Sequence, residues 1–93
     1  MSAYRLVISS PDGELFRGEV EGLWLRGCEG DLAILAGHVP LCTALQAGIA
    51  RIALPEGEER RFSIDGGILT VGREETVVLC GEGKEASDSP VGA

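Results

Sequence analysis

No window of twelve residues in this sequence keeps apolar side chains at the i, i+3, i+4, i+7 spacing of a helix without a glycine or proline inside it. Strands are what the pattern leaves. The 14 glycines and 4 prolines mark turns between short β-prone runs, which follow one another at about the 8–12 residue spacing of a sandwich or barrel. Residues 4–9 alternate Tyr4, Leu6 and Ile8 against Arg5, Val7 and Ser9, and Pro11-Asp12-Gly13 then supplies a turn. Runs at 15–20 and 23–26 follow, separated by Glu21-Gly22. The turn Gly27-Cys28-Glu29-Gly30 leads into 31–35 and the loop Ala36-Gly37-His38-Val39-Pro40. Residues 41–47 alternate Leu41, Thr43 and Leu45 against Cys42, Ala44 and Gln46, and 49–54 put Ala50, Ile52 and Leu54 on one face. After a hairpin tip at Pro55-Glu56-Gly57-Glu58, runs at 60–64, 67–71 and 76–80 complete the series. The expected fold is all-β, a flattened barrel or β-sandwich of about nine to ten short, mainly antiparallel strands. It occupies residues 1–80, and the polar, small segment 81–93 is expected to be a disordered tail.

With 93 residues there is room for one domain and one modest core. The net charge of −7 argues against nucleic acid, which needs a basic face, and against direct docking on anionic lipid. Around Met1 to Ser10 the only basic residue is Arg5 and the apolar run is Leu6, Val7, Ile8, so no signal peptide is expected. Nor is a membrane-spanning helix, since no apolar run approaches the ~20 residues it needs. Three widely spaced cysteines, Cys28, Cys42 and Cys80, suit neither a disulfide framework nor a zinc site, and are expected to be small buried thiols.

The chemistry of catalysis is thin. His38 is the one histidine, and the loop around it reads as a shaped connection rather than a general base's setting. Gly81-Glu82-Gly83-Lys84-Glu85-Ala86 matches the start of a dinucleotide fingerprint, but no helix follows to hold a pyrophosphate. Lys84 is the only lysine, and its place in the tail does not suit a swinging-arm carrier. Glu29 and Asp31 offer two carboxylates where calcium takes about 6–8 oxygens, so they read as turn charge. No cofactor and no metal are expected.

The central segment carries the most specific signal. Glu29-Gly30-Asp31-Leu32-Ala33-Ile34, Gly37-His38-Val39-Pro40-Leu41, then Thr43, Leu45 and Gly48, resembles the signature of the epsilon subunit of F-type ATP synthases, called delta in mitochondria. Gly66-Gly67-Ile68-Leu69-Thr70-Val71 resembles its second signature, and Leu6 to Ser9 with Pro11, Gly13 and Phe16 its opening. Gly30, Gly37, Pro40, Gly48, Gly66 and Gly67 also have a structural reading of their own as turn residues. The resemblance implies a noncatalytic stalk subunit joining the rotating gamma subunit to the membrane c ring, peripheral to the cytoplasmic face of a bacterial inner membrane. It implies c-ring contact through Glu29 and Asp31, and gamma contact through Ser10, His38, Leu41, Thr43 and Leu45. Family members commonly carry a C-terminal helical hairpin that restrains ATP hydrolysis; this sequence stops at Ala93 without one, so neither inhibition nor nucleotide sensing is expected. Two other readings are open on the residues alone, a β-sandwich adaptor for a peptide or small ligand and a small hydrolase using His38.

Overall fold

The computed structural model describes residues 3–86. The strands are β1 (Tyr4–Ser10), β2 (Gly13–Val20), β3 (Gly22–Gly27), β4 (Gly30–Leu35), β5 (Leu41–Leu45), β6 (Gly48–Ala53), β7 (Glu59–Ile64), β8 (Gly67–Val71), β9 (Glu75–Leu79) and β10 (Gly83–Glu85). They form one hydrogen-bonded path, β10-β7-β6-β3-β5-β8-β9-β1-β2, with β4 attached to β3 outside it. β1 runs parallel to β9, and the other pairings are antiparallel. The path curls until its ends meet. A methyl group placed on Gly83 of β10 would lie 2.8 Å from Leu15 Cδ1 of β2, so the sheet is a nearly closed, flattened barrel.

Alternation along the strands decides what lies inside. Leu6 and Ile8, Leu23, Ile34, Ile52, Phe62, Leu69 and Val78 are fully buried in one core. Leu45, Ala50, Ile64 and Val71 join them, so the inward set read from 41–47 and 49–54 is the one the fold uses. Val7 departs from the alternation. It points outward, yet its flanking partners Arg17 on β2 and Val77 on β9 cover it to 6% exposure.

The expected tail begins as structure. Residues 83–85 add to β7 in register with 62–64, and Gly81 N–H donates to Asp65 Oδ1 at 3.0 Å. Arg60 explains the order. Its guanidinium makes two 2.8 Å bonds to the Glu85 carboxylate and lies 5.2 and 5.4 Å from the centroids of Phe16 and Phe62, which themselves meet edge to face at 6.0 Å. Polar composition concealed a strand held by one arginine. Residues 87–93 of the expected tail lie outside those described.

Among the turn glycines, Gly66 and Gly67 have φ of +116° and +139°, backbone that favours glycine. Gly30 and Gly37 share the property, at +134° and +84°. Gly48 does not, because it opens β6 opposite Ile64 as an ordinary ladder residue with negative or extended φ. The thiol expectation also needs correction, since only Cys80 is buried. Cys28 sits in the β3–β4 turn and Cys42 on the outward side of β5, where the Thr70 hydroxyl donates to its sulfur at 3.8 Å.

Candidate functional site

The hairpin of β3 and β4 turns through Cys28 and Glu29, with Gly27 opposite Gly30 and Arg26 opposite Asp31. Glu29 and Asp31 therefore project together from one tip. Asp31 lies 3.7 Å from the Arg26 guanidinium, with its side chain 85% exposed, so that pair leaves the carboxylate available to a stronger cation. Ser10 belongs to the same end of the barrel. β1 runs parallel to β9 with Ser9 beside Leu79, β9 meets β8 with Leu79 opposite Ile68, and Gly67 lies opposite Leu45, which in turn faces Gly27. The Ser10 hydroxyl closes its own turn, donating to the Gly13 carbonyl at 3.3 Å and accepting the Asp12 N–H at 3.2 Å.

His38 lies at the opposite end. Its N–H donates to the Leu35 carbonyl at 3.1 Å, beside Tyr4, the first residue of β1, whose hydroxyl donates to Ile34 O at 2.6 Å. Burial pushes the Tyr4 phenol well above its ordinary pKa, so it stays a donor. A carbonyl can only accept, so the 2.7 Å contact between His38 Nδ1 and Val39 O places the proton on Nδ1. With seven residues in β1, Ser10 and the His38 end are about 20 Å apart. The structure thus brings Ser10 together with Glu29 and Asp31 and separates it from His38.

β5 connects the two ends. Leu45 is 5% exposed, and Leu41 packs partly buried on the core with Thr43 between them. Leu41 and Leu45 serve the interior, and Thr43 is half-buried. The surface that β5 shows is Cys42 and Ala44. Register aligns Ala44 with Ile68 and Leu79, and Cys42 with Thr70 and Val77. Ile68 and Leu79 are 49% and 53% exposed, so this outer sheet face is largely apolar. The sequence reading named Leu41, Thr43 and Leu45 instead, because their alternation marks one face of β5 and says nothing of what covers the other. The signal was present in Val77-Val78-Leu79 and Ile68-Leu69, where apolar residues occupy consecutive positions and so both faces of a strand.

A model of the ATP synthase delta/epsilon chain β-sandwich domain matches residues 3–86. The chain belongs to this family. It is 38% identical over 76 residues to the ATP synthase epsilon chain, sodium ion specific, of Acetobacterium woodii, a match covering 82% of this chain and 57% of that one. In the structure of the Euglena gracilis mitochondrial ATP synthase (OSCP, F1 and c-ring), one chain superposes with a TM-score of 0.85 at 22% identity, over 91% of this chain and 54% of that one. A chain of the Tetrahymena thermophila mitochondrial ATP synthase central stalk and c-ring gives a TM-score of 0.73 at 13% identity, over 98% of this chain and 76% of its own length. At those identities the two structural likenesses establish the fold. The chain spans little more than half of the Acetobacterium and Euglena relatives, namely the β-sandwich part of the family.

Proposed function

We propose that this chain is the coupling domain of a noncatalytic central-stalk subunit of an F-type ATP synthase, linking the rotating gamma subunit to the membrane c ring. The observation that carries this is the match of the delta/epsilon β-sandwich family across all the described residues. The names of the relatives, an epsilon chain and two ATP synthase assemblies, agree with it. On this reading the chain makes and breaks no bond; it transmits torque through a rigid body with two partner-facing surfaces. It is peripheral to the cytoplasmic face of a bacterial membrane, held there through the c ring.

Geometry supports a division of labour between those surfaces. The end carrying Glu29, Asp31 and Ser10 presents exposed acid to the basic polar loops of a c ring, where charge complementarity fixes register and speeds docking. The gamma contact runs from the His38 loop across the outer face of β5, β8 and β9. There Ala44, Ile68 and Leu79 supply apolar area, while Leu41 and Leu45 hold the strand from inside. An interface of this kind buries about 1,200 Å² or more. Tagged chain recovered from membranes at moderate salt should bring gamma and the c ring with it. Recovery of neither would return the chain to the class of free-standing adaptors.

A further inference from the structure

β4 is hydrogen-bonded to β3 alone, and it lies off the path whose two ends meet at the Gly83–Leu15 seam. Among the described residues β2 and β10 also have a single ladder partner each, but they pack against one another at that seam, whereas β4 lies away from it. Its spare peptide groups follow from the ladder. Cys28 N–H donates to Ala44 O at 3.1 Å and Gln46 N–H to Arg26 O at 3.0 Å, so the peptide groups of Arg26 and Cys28 face β5. Direction alternates along a strand, so Leu23, Leu25 and Gly27 face β4, opposite Ile34, Leu32 and Gly30. The peptide groups of Asp31, Ala33 and Leu35 then point away from β3. The Leu35 carbonyl accepts the His38 N–H, whereas the N–H groups of Asp31, Ala33 and Leu35 meet no backbone acceptor outside the ladder among the described residues. All three residues are exposed.

Edges are usually blunted by proline, lysine, a bulge or a covering segment. β4 has no proline or lysine, and its register with β3 is unbroken. Its outward side chains grade from acidic Asp31, with Glu29 just beyond it, through Ala33 to Leu35, which is 50% exposed, and on to Val39 at 70%. The edge therefore spans both ends of the candidate site, from the acidic tip to the His38 loop. The whole chain's net charge of −7 disfavours a second copy of the same chain as occupant.

We propose that the free edge of β4 accepts an added strand from the gamma subunit: an extended segment whose main chain pairs with Asp31, Ala33 and Leu35 and whose side chains are apolar where they meet Leu35 and Val39, leaving the Glu29 and Asp31 carboxylates to the c ring. This rests on the stalk reading above. Main-chain pairing supplies the affinity and the graded side chains set the register. A ladder of peptide bonds also resists sliding along the strand, which suits a contact that carries torque.

Amide hydrogen exchange on the isotope-labelled full chain, alone and bound to purified gamma, tests this. In the free chain the Asp31 and Ala33 amides are expected to exchange fast while Leu32 and Ile34 exchange slowly. In the complex Asp31 and Ala33 should slow by about 100-fold. Ala33→Pro removes an outward N–H and no bond to β3, so it should keep the fold and weaken gamma binding by about tenfold or more, whereas Ala33→Ser should bind normally. Should Ala33→Pro misfold, exchange in the unmutated chain decides alone. A stable complex in which Asp31 and Ala33 still exchange fast would overturn the added strand and leave the stalk reading intact. Absence of any complex would overturn both. Protection that arises only with the c ring, or only on concentrating the chain by itself, would remove gamma as the donor.

Discussion

At Gly67 two constraints coincide. The backbone sits at φ +139°, and a Cβ would lie 2.0 Å from the carbonyl oxygen of Leu79. Gly13 has nearly the same φ, +135°, with nothing within 4 Å, so the pair separates backbone strain from steric exclusion. Gly13→Ala should cost about 1–2 kcal/mol of unfolding free energy. Gly67→Ala should cost about 4 kcal/mol or prevent folding, because neither backbone can retreat without breaking the β8–β9 ladder. Urea titrations of the two variants check the difference; equal costs would refute it. Phe62, fully buried in the core, should lose about 3–5 kcal/mol on truncation to alanine by the same measurement. Gly66-Gly67 could be read from the sequence as a tight bend, since paired glycines have few other uses. The approach of Leu79 O could not, because β9 is distant in sequence and enters only through the sheet.

At the level of elements, the strands from β1 to β9 were legible because turn residues bracket each of them and the apolar alternation names the buried face. β10 was not, since its three residues are polar and its order comes from Arg60. That clip titrates. The Arg60 guanidinium beside Glu85 holds the carboxyl below its ordinary value of 4.5. A depressed folded-state pKa stabilises fully above the unfolded value and loses its effect as pH falls through the folded one. Protection of the β10 amides should therefore be constant above about pH 5 and decline below pH 4.5. Glu85→Gln should remove most of that pH dependence while β7 amides stay protected. Exchange profiles between pH 3 and 7, on the order of one unit per step, would show it; a β10 equally protected at both limits would contradict the clip. Glu14 and Glu59 are also lowered by Arg17 and Arg51, so global acid sensitivity is a poorer readout than β10 itself.

For the molecule as a whole, one β body with an acidic tip and an apolar side suits the coupling role proposed for it. The acidic tip was visible in sequence as Glu29 and Asp31. The placement of Ser10 with that tip, about 20 Å from His38, was not, because it depends on which end of β1 each residue meets. Asp31→Arg should leave the free chain's stability nearly unchanged, as expected of a side chain 85% exposed. The same change should weaken c-ring attachment at low salt by about 1 kcal/mol or more. Unchanged affinity would remove Asp31 from the contact. Coupling without catalysis is tested most directly in vesicles holding the assembled synthase with this chain removed and then restored. ATP hydrolysis by the head should continue after removal while ATP-driven ion pumping is lost, and the restored chain should recover pumping. Pumping that persists without the chain, or hydrolysis that disappears with it, would contradict the account.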